Sequence, residues 1–345
     1  MLTYIIRLLL IACFFLNASG CFNADRTSSG NAVMKSSGFS IKGVSMVAPQ
    51  KTIDSAAMQP MVNINANSIS IMPYAFCSIE NPEVKYNQHG QHWGENIDGV
   101  IGCIQLAHQK NMSVMLKPHL WIGHGIYTGA FILTTENEWQ LWEDSYQKYM
   151  LHFAAVADSM KAEIFCIGTE LGACIKERPY FWNSFIDTLK QTYHGKLTYA
   201  ANWDDYKNFP FWEKLDYIGV DAYFPLATDE TPSLNSLKKG WKKYSDELEK
   251  ISVQHNRPVL FTEYGYRNVD YNSAEPWKEN EGNRNDEAQT NAYEAFYQSF
   301  AGKKWFAGGY VWKWYVEEGR HHMKDIDFTP QNKPAEKLIK NWYRN

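Results

Sequence analysis

The feature that most restricts the fold of this chain is a regular alternation of short apolar segments with longer amphipathic ones, which begins near Ser40. Segments rich in β-branched and aromatic residues predict eight strands, at residues 41–49, 68–77, 113–122, 163–171, 196–204, 216–225, 258–266 and 308–316. Helical periodicity between them is clearest at residues 96–110, 138–160, 180–193, 234–254, 286–301 and 334–343. Eight strands that alternate with helices predict a fold of the α/β class, a single (β/α)8 TIM barrel.

Long connections follow several of the predicted strands, at residues 78–95, 123–137, 268–285 and 317–333. These connections are polar and carry scattered aromatic residues such as Trp93, Tyr127 and Trp277. In a (β/α)8 barrel the loops after the strands gather on one face, which is the face where barrel enzymes bind substrate. We therefore expect the long βα loops to form the walls of a substrate cleft.

Two glutamates stand at the ends of apolar strands, where a plain core has no place for a charge. Glu170 ends the fourth predicted strand and Glu263 ends the seventh. Strict alternation puts Glu170 on the face of Cys166 and Gly168, and Glu263 on the face of Phe261. An ion pair at a strand end is the simplest interpretation of either residue. If both point into the mouth of the barrel, two carboxylates about 5–5.5 Å apart could instead hydrolyse a glycosidic bond with retention.

Short motifs occur in order at all eight predicted strand ends, namely Lys42–Met46, Ile71–Phe76, Leu116–Trp121, Ile167–Leu171, Ala201–Trp203, Val220–Pro225, Phe261–Gly265 and Gly309–Trp314. Together they resemble glycoside hydrolase family 113, a group of retaining β-1,4-mannanases in the large clan A of barrel glycosidases. The resemblance runs from Lys42 to the C-terminus. It implies hydrolysis of mannan, glucomannan or manno-oligosaccharides through a covalent glycosyl-enzyme.

The resemblance also implies roles for individual residues. In the clan, the glutamate that ends the fourth strand is the acid/base and the one that ends the seventh is the nucleophile, which assigns these roles to Glu170 and Glu263. Clan members often place a tyrosine of the sixth strand, here Tyr223, against the nucleophile. Many carry asparagine before the acid/base, where this chain has Thr169. We expect Asn202, at the end of the fifth strand, to contact the sugar 2-hydroxyl in its place.

Several aromatic residues at strand ends are candidates for binding the sugar. Trp312 and Trp314 alternate on the eighth strand, so both are expected to face the same way. One of them is expected to stack on the sugar, and a role in the core is open for whichever lies deeper. Trp203 and Tyr74 are candidate walls of the cleft.

The third strand carries three more candidates for substrate binding on one face, Lys117, His119 and Trp121. A lysine on so apolar a strand indicates a role in the site. A structural ion pair with a barrel carboxylate is the alternative, and Asp221 could hold such a charge.

Charge and histidine placement argue against several functions other than that of a glycosidase. The formal net charge of -4 and the pI near 6.2 provide no basic face for nucleic acid. A metal-dependent barrel hydrolase would carry His-x-His on its first strand, and Lys42–Met46 has no histidine, so neither a metal nor another cofactor is expected. The alternatives left open are a retaining β-glycosidase for β-glucan or chitosan and a non-catalytic cell-surface barrel that binds glycans.

The N-terminus has the form of an export signal. Arg7 precedes an apolar segment and then the small residues 18–20, so residues 1–20 are predicted to be a signal peptide. Cys21 follows at once, as at a bacterial lipoprotein processing site, although ordinary cleavage is an alternative. We expect a monomer anchored in the cell envelope through a lipid on Cys21, with a flexible tether over residues 21–38 and a catalytic domain over residues 39–345.

Overall fold

The computed structural model describes residues 38–278, 282–317 and 325–344. All of them belong to one structural unit, residues 35–345. The predicted signal peptide, the predicted lipid attachment at Cys21 and the predicted tether as far as residue 37 lie outside the described residues. None of the helices within the described ranges has the length and apolar character needed to cross a bilayer.

The strands of the described chain are β1 (Ile41–Met46), β2 (Ser68–Ile71), β3 (Tyr74–Cys77), β4 (Lys85–Tyr86), β5 (Ser113–Leu116), β6 (His119–Ile122), β7 (Ile164–Thr169), β8 (Lys196–Asn202), β9 (Ile218–Asp221), β10 (Val259–Tyr264) and β11 (Phe306–Trp314). Eight of them close into a barrel in the order β1-β11-β10-β9-β8-β7-β5-β2. Every neighbouring pair in the barrel is parallel. The predicted (β/α)8 barrel is therefore confirmed.

The helices that alternate with the strands are α1 (Gln59–Asn63), α2 (Ile97–Gln109), α3 (Glu136–Met160), α4 (Gly172–Glu177), α5 (Pro179–Thr192), α6 (Leu234–His255), α7 (Asp286–Phe300) and α8 (Pro334–Tyr343). Six of them match the predicted helices to within two residues at each end. Local sequence signals help to explain this agreement. At the start of α3, for example, the hydroxyl of Thr135 and the carboxylate of Glu138 form a reciprocal capping box. Only the two shortest helices, α1 and α4, were not predicted.

Prolines divide two of the predicted strands. The segments 68–77 and 113–122 are interrupted at Pro73 and Pro118, because proline has no amide hydrogen for the sheet. Beyond the interruptions β3 and β6 pair in parallel, with Tyr74 opposite His119, and β4 adds an antiparallel edge. This small sheet extends one side of the barrel past its mouth and forms part of the cleft wall.

Two hydrophobic clusters support the barrel. The larger lies between strands and helices and contains the fully buried Trp142, Trp182 and Trp241. The smaller is inside the barrel and includes Tyr310, whose hydroxyl lies 3.0 Å from the Oγ of Ser68. A Cβ at position 43 would come within 2.3 Å of the Tyr310 ring, so Gly43 leaves the space that this ring fills. The cysteines within the described ranges, Cys77, Cys103, Cys166 and Cys174, are buried free thiols.

Three barrel strands bulge near their C-terminal ends. At each bulge, one strand has one residue more than the stretch of the neighbouring strand that pairs with it. The pairings are Cys166–Thr169 of β7 against Thr198–Ala200, Phe261–Tyr264 of β10 against Gly309–Val311, and Val311–Trp314 of β11 against Val44–Met46. The extra residue of a bulge breaks strict alternation and re-aims the side chains beyond it.

Because of these bulges, some side chains point to the opposite face of the sheet from the one that alternation predicted. Phe261 packs outward against α7, with its ring 5.2 Å from that of Phe300, whereas Glu263 points into the barrel. Gly168 also faces the helices, because a Cβ at this position would lie 3.0 Å from the hydroxyl of Tyr146. The prediction that each glutamate shares a face with the residues two positions before it is therefore wrong.

Candidate active site

The C-terminal face of the barrel holds a cavity of about 700 Å³, called here the central cavity. It lies where the long βα loops were expected to form a cleft, and Glu170 and Glu263 both line it. Of the predicted site residues, nine line this cavity, namely Tyr74, His119, Trp121, Glu170, Asn202, Trp203, Tyr223, Glu263 and Trp312. Residues that are far apart in sequence thus meet in one site.

Glu263 is held by two hydrogen-bond donors. The Nζ of Lys117 donates to Oε1 across 2.5 Å, and the hydroxyl of Tyr223 donates to Oε2 across 2.8 Å. Glu263 is only 6% exposed. Hydrogen bonds to an ionised acceptor are short and strong, so these two contacts fix the orientation of the carboxylate. Tyr223 occupies the position that the resemblance implied.

Lys117 is fully buried between two carboxylates. Its Nζ also lies 2.9 and 3.1 Å from the two carboxylate oxygens of Asp221, which further accepts a hydrogen bond from Thr262. Burial lowers the pKa of Lys117, but Asp221 and Glu263 raise it by more, so the amine stays cationic. Burial, and next the charge of Glu263, raises the pKa of Asp221 to about 7 against the effect of Lys117. Lys117 does not line the central cavity, so it holds Glu263 rather than contacting substrate as predicted.

Glu170 follows directly on β7 and has different surroundings. Its φ is +52°, in the left-handed region, and its amide donates to the carbonyl of Ala200 across 2.8 Å. Non-glycine residues in this region are uncommon and concentrate at functional sites. Burial raises the pKa of the Glu170 carboxyl well above its ordinary value, the negative charges of Asp221 and Glu263 raise it further, and Lys117 opposes them. Glu170 therefore keeps its proton to a higher pH than an ordinary glutamate does.

His119 stands beside Glu263 as a neutral imidazole. Its Nε2 is 3.7 Å from Oε1 of Glu263 and is buried without a hydrogen-bond partner among the described residues. Burial, and next the charge of Lys117, lowers the pKa of His119 well below its usual range. The ring of Tyr74 packs against the imidazole with a centroid distance of 5.1 Å. Within the described ranges no cluster of histidine, cysteine and carboxylate side chains is suited to hold a metal ion.

Asn202 is fixed by two hydrogen bonds at the edge of the cavity. Its Nδ2 donates to the hydroxyl of Tyr127 across 2.7 Å, and its Oδ1 accepts from the amide of Trp203 across 2.9 Å. The indole of Trp203 stacks on that of Trp277, with centroids 5.2 Å apart and planes inclined by 17°. The loops that carry Tyr127 and Trp277 thereby form one wall of the central cavity together with the end of β8.

A family model identifies the chain. The model of Glycoside Hydrolase Family 113 matches residues 46–343. This chain belongs to glycoside hydrolase family 113. It is therefore a glycoside hydrolase, and the family resemblance of the strand-end motifs is confirmed.

Solved structures share the fold of this family 113 hydrolase. The family 113 β-mannanase AaManA from Alicyclobacillus acidocaldarius, in complex with ManMIm, is 23% identical, has a TM-score of 0.78, and aligns over 89% of this chain and 97% of its own. A complex of a family 113 β-1,4-mannanase is 24% identical, with a TM-score of 0.76 over 88% of this chain and 98% of its own. Faecalibacterium prausnitzii β-glucuronidase is 13% identical, with a TM-score of 0.59 over 88% of this chain and 49% of its own. No match was found among curated protein sequences.

The two tryptophans of β11 occupy different environments in the family 113 hydrolase. Trp312 lines the central cavity, whereas Trp314 is 1% exposed and belongs to the core between strands and helices. The bulge in β11 lies between Val311 and Trp314, so the two indoles do not share a face. Trp314 therefore fills the core and does not reach substrate, contrary to its place among the predicted substrate-binding residues.

Three further aromatic residues line the central cavity of the family 113 hydrolase, namely Tyr127, Trp277 and Phe328. All three lie in long loops that were expected to form the cleft walls, but the sequence did not predict which of the loop side chains reach the cavity. Thr169 also lines the cavity, and its buried Oγ1 has no hydrogen-bond partner in the described part of the chain. Such an oxygen is available to a substrate hydroxyl.

Proposed function

We propose that this hydrolase is a retaining β-1,4-mannanase, which cleaves mannan, glucomannan or manno-oligosaccharides through a covalent glycosyl-enzyme. The proposal rests on the contrast between the two glutamates of the central cavity. Glu263 accepts hydrogen bonds from Lys117 and Tyr223, which suits an ionised nucleophile. Burial and neighbouring negative charge raise the pKa of Glu170, which suits a proton donor.

The proposed reaction has two steps. First, a carboxylate oxygen of Glu263 bonds to the anomeric carbon while the bond from that carbon to the bridging oxygen breaks, and Glu170 gives its proton to the departing oxygen. Second, Glu170, now ionised, takes a proton from water, and the water oxygen bonds to the anomeric carbon as the bond to Glu263 breaks. Two inversions at one carbon restore the original β configuration.

The sugar at the cleavage point is proposed to be an uncharged hexose, namely mannose. Glu170, Asp204, Asp221 and Glu263 line the central cavity, and none of its lining residues within the described ranges is a lysine or arginine. The cavity therefore offers the carboxylate of a uronic acid no cationic partner, despite the shared fold with a β-glucuronidase. The similar structures that are β-mannanases favour mannose. The side chains of Asn202 and Thr169 are available for its 2-hydroxyl.

Product stereochemistry tests the mechanism and the substrate together. The purified full-length protein is incubated with mannan, glucomannan, cellulose, xylan and chitosan oligosaccharides while the anomeric protons are followed by NMR. We expect early release of the β-anomer from mannan. Early α-anomer would contradict retention, turnover of another polymer alone would reassign the sugar, and binding without turnover would indicate a glycan-binding barrel.

Azide rescue tests the roles of the two glutamates on an aryl β-mannoside. With Glu263→Ala, azide should restore turnover and give an α-glycosyl azide, because it attacks the face that the nucleophile has left open. With Glu170→Ala, azide should attack the glycosyl-enzyme and give a β-glycosyl azide. The reverse pattern would exchange the two roles.

We further propose that the protein is an exported monomer held at a bacterial cell envelope by a lipid on Cys21. The support is the sequence of residues 1–21 alone, with its apolar segment followed by small residues and cysteine. Metabolic labelling with radioactive palmitate should mark the wild-type protein and not a Cys21→Ser variant. An unlabelled, freely released wild-type protein would favour ordinary cleavage instead.

A further inference from the structure

A lysine stands at the start of α8, where its charge is unfavourable. Lys333 is the N-cap of this helix, and Pro334 follows at the first helical position. Serine, threonine, aspartate and asparagine are the usual N-caps, because their side-chain oxygens accept hydrogen bonds from the free backbone amides. A lysine has no acceptor to offer, and the positive end of the helix dipole opposes its ammonium group. The amine must therefore be stabilised by other contacts.

Three oxygen acceptors surround the half-buried amine of Lys333. Its Nζ donates to the carbonyl of Thr329 across 2.7 Å, to the carbonyl of Asp327 across 3.4 Å and to Oδ1 of Asn268 across 3.1 Å. Thr329 and Asp327 lie on either side of Phe328, so one amine holds the backbone before and after this residue. Hydrogen bonds from a charged donor are the stronger ones. The ammonium group thus fixes the part of the loop that carries Phe328.

Asn268 connects this loop to the segment that follows β10. It is fully buried, and its Oδ1 accepts from the amide of Asp327 across 2.9 Å as well as from Lys333. Its Nδ2 donates to Oδ1 of Asp286, at the start of α7, across 2.8 Å. Lys333 therefore joins the loops that follow β10 and β11, and β10 is the strand that carries Glu263.

Phe328 links Lys333 to the central cavity. Its ring lines the cavity, is 5% exposed and packs edge-on against Tyr223, with centroids 6.1 Å apart and planes inclined by 73°. Tyr223 in turn donates to Oε2 of Glu263 across 2.8 Å. A continuous series of contacts thus runs from Lys333 through Phe328 and Tyr223 to the carboxylate.

We propose that Lys333 is a positioning residue for glycoside hydrolysis, which holds the carbonyls on both sides of Phe328 and thereby keeps the Phe328 ring against Tyr223 and the carboxylate of Glu263 in its orientation for attack. The inference rests on the proposed function, since it takes Glu263 as the nucleophile. Lys333 does not itself line the central cavity, so it acts through Phe328 rather than through contact with the sugar.

The charge of Lys333 depends on pH within an accessible range. Burial lowers the pKa of its amine to about 8, and nearby carboxylates partly offset this effect. The charged groups that face the amine come from its own loop, from β11 and from the start of α7, namely Asp327, Asp325, Lys313, Arg284 and Asp286. The ammonium form, which makes the stronger hydrogen bonds, therefore predominates below about pH 8 and is lost above it.

A double-mutant cycle on the full-length protein tests whether Lys333 acts through Phe328. With 2,4-dinitrophenyl β-mannoside at pH 7, Lys333→Met and Phe328→Ala should each lower kcat/KM by about fivefold or more. The double variant should be no worse than Phe328→Ala alone by more than about twofold, because the two changes break one series of contacts. If the two losses multiply, Lys333 acts independently of Phe328 and the proposal is overturned.

Lys214→Met is the matched control. Lys214 is another half-buried lysine, whose amine donates to the carbonyl of Asn183 across 3.2 Å and pairs with Asp187 at 2.7 Å. It does not line the central cavity. This variant should keep kcat/KM within about twofold of the wild-type value. A loss as large as that of Lys333→Met would show that kcat/KM follows general stability, which would also overturn the proposal.

The pH profile of kcat/KM provides a second measurement. It is recorded in the Glu170→Gln background, where Glu170 cannot titrate, because a dinitrophenolate leaves without needing a proton. In this parent kcat/KM should fall as pH rises through about 8, when Lys333 loses its charge. Adding Lys333→Met should lower kcat/KM at pH 7 and abolish this step.

Lys333→Arg covers the case in which Lys333→Met does not fold by circular dichroism. It keeps its positive charge throughout the profile, so it should also lack the step. No step in the parent, or the same step in the Lys333 variants, would overturn the proposal. A wild type that cleaves no β-mannoside would instead count against the proposed function.

Discussion

The amine of Lys117 lies 2.5 Å from one carboxylate oxygen of Glu263 and 2.9 Å from Asp221, so one buried cation serves two carboxylates. The Lys117 side chain is completely inaccessible, and that of Glu263 is 8% exposed. Burying a cluster of charged side chains away from water is costly unless each charge is paired with an opposite charge. Because Lys117 joins the barrel strands that carry the nucleophile and Asp221, it couples the stability of the barrel to the orientation of Glu263.

Replacing Lys117 should therefore harm both folding and activity. Lys117→Met leaves Asp221 and Glu263 as uncompensated buried charges, which should lower the free energy of unfolding by about 3–5 kcal/mol. The loss of the amine that holds Oε1 should also lower kcat/KM, because Glu263 then keeps only its contact with Tyr223. Chemical denaturation and steady-state kinetics on a soluble mannoside measure the two effects.

Lys42→Met is the control for this change, since Lys42 is another buried barrel lysine, whose Nζ donates to the carbonyl of Tyr343. It should reduce stability and leave kcat/KM near the wild-type value. An unchanged kcat/KM in Lys117→Met would contradict the proposed link between Lys117 and the nucleophile.

The charge of Asp204 should influence the alkaline limb of the pH profile of kcat/KM. Burial, Asp221, Glu263 and Asp204 all raise the pKa of Glu170, and Lys117 opposes them. Asp204→Asn removes one of the negative charges, so Glu170 should lose its proton at lower pH and the alkaline limb should move to lower pH. Asp246→Asn alters an exposed aspartate on α6 and should not move it. A shift to higher pH in Asp204→Asn would contradict the assignment of Glu170 as the acid.

Glu170 should reduce stability at neutral pH. Its pKa is raised in the folded chain, so between the ordinary carboxyl pKa of 4.5 and the raised value the folded state binds more protons than the unfolded state. The free energy of unfolding then falls as pH rises through this window. Glu170→Gln should therefore raise Tm at pH 7 relative to wild type, and the gain should vanish below about pH 4. Calorimetry at both pH values measures this, and an equal gain at both would indicate a packing effect.

The two tryptophans of β11 should separate binding from stability. Trp314→Ala opens a cavity in the core and should lower the free energy of unfolding by about 3–5 kcal/mol, with KM little changed. Trp312→Ala should leave stability within about 1 kcal/mol and reduce kcat/KM, because it removes a surface of the central cavity. Each variant is the control for the other, and similar stability losses in both would contradict the division of roles.

The sequence was sufficient to predict the barrel, because its strands and helices follow simple periodicities. Of the six longer helices, three begin at a capping side chain, that of Thr135, Ser233 or Asn285, and two begin at a proline. Glu170 and Glu263 were found by the same logic, as charges in the wrong place at the ends of apolar strands. The ion pair of Lys117 with Asp221 was the alternative to a predicted contact of Lys117 with substrate.

The sequence was not sufficient where geometry departs from periodicity. The bulge in β11 puts Trp314 in the core, and Pro73 and Pro118 divide two strands that read as continuous. Tyr127 and Trp277 reach the site through loops whose paths depend on tertiary contacts, such as the stacking of Trp277 on Trp203. Local patterns carry no information about such contacts.

The bulge in β10 has a consequence for how such a site can appear or vanish. Phe261 pairs with Val220 and Glu263 with the adjacent Asp221, so one extra residue between them turns the carboxylate inward. Deleting a single residue there would turn Glu263 toward the helices and leave the composition of the strand almost unchanged. In evolutionary terms, activity depends on the length of this strand as much as on its residues, and related barrels could lose or regain catalysis through the deletion or insertion of one codon.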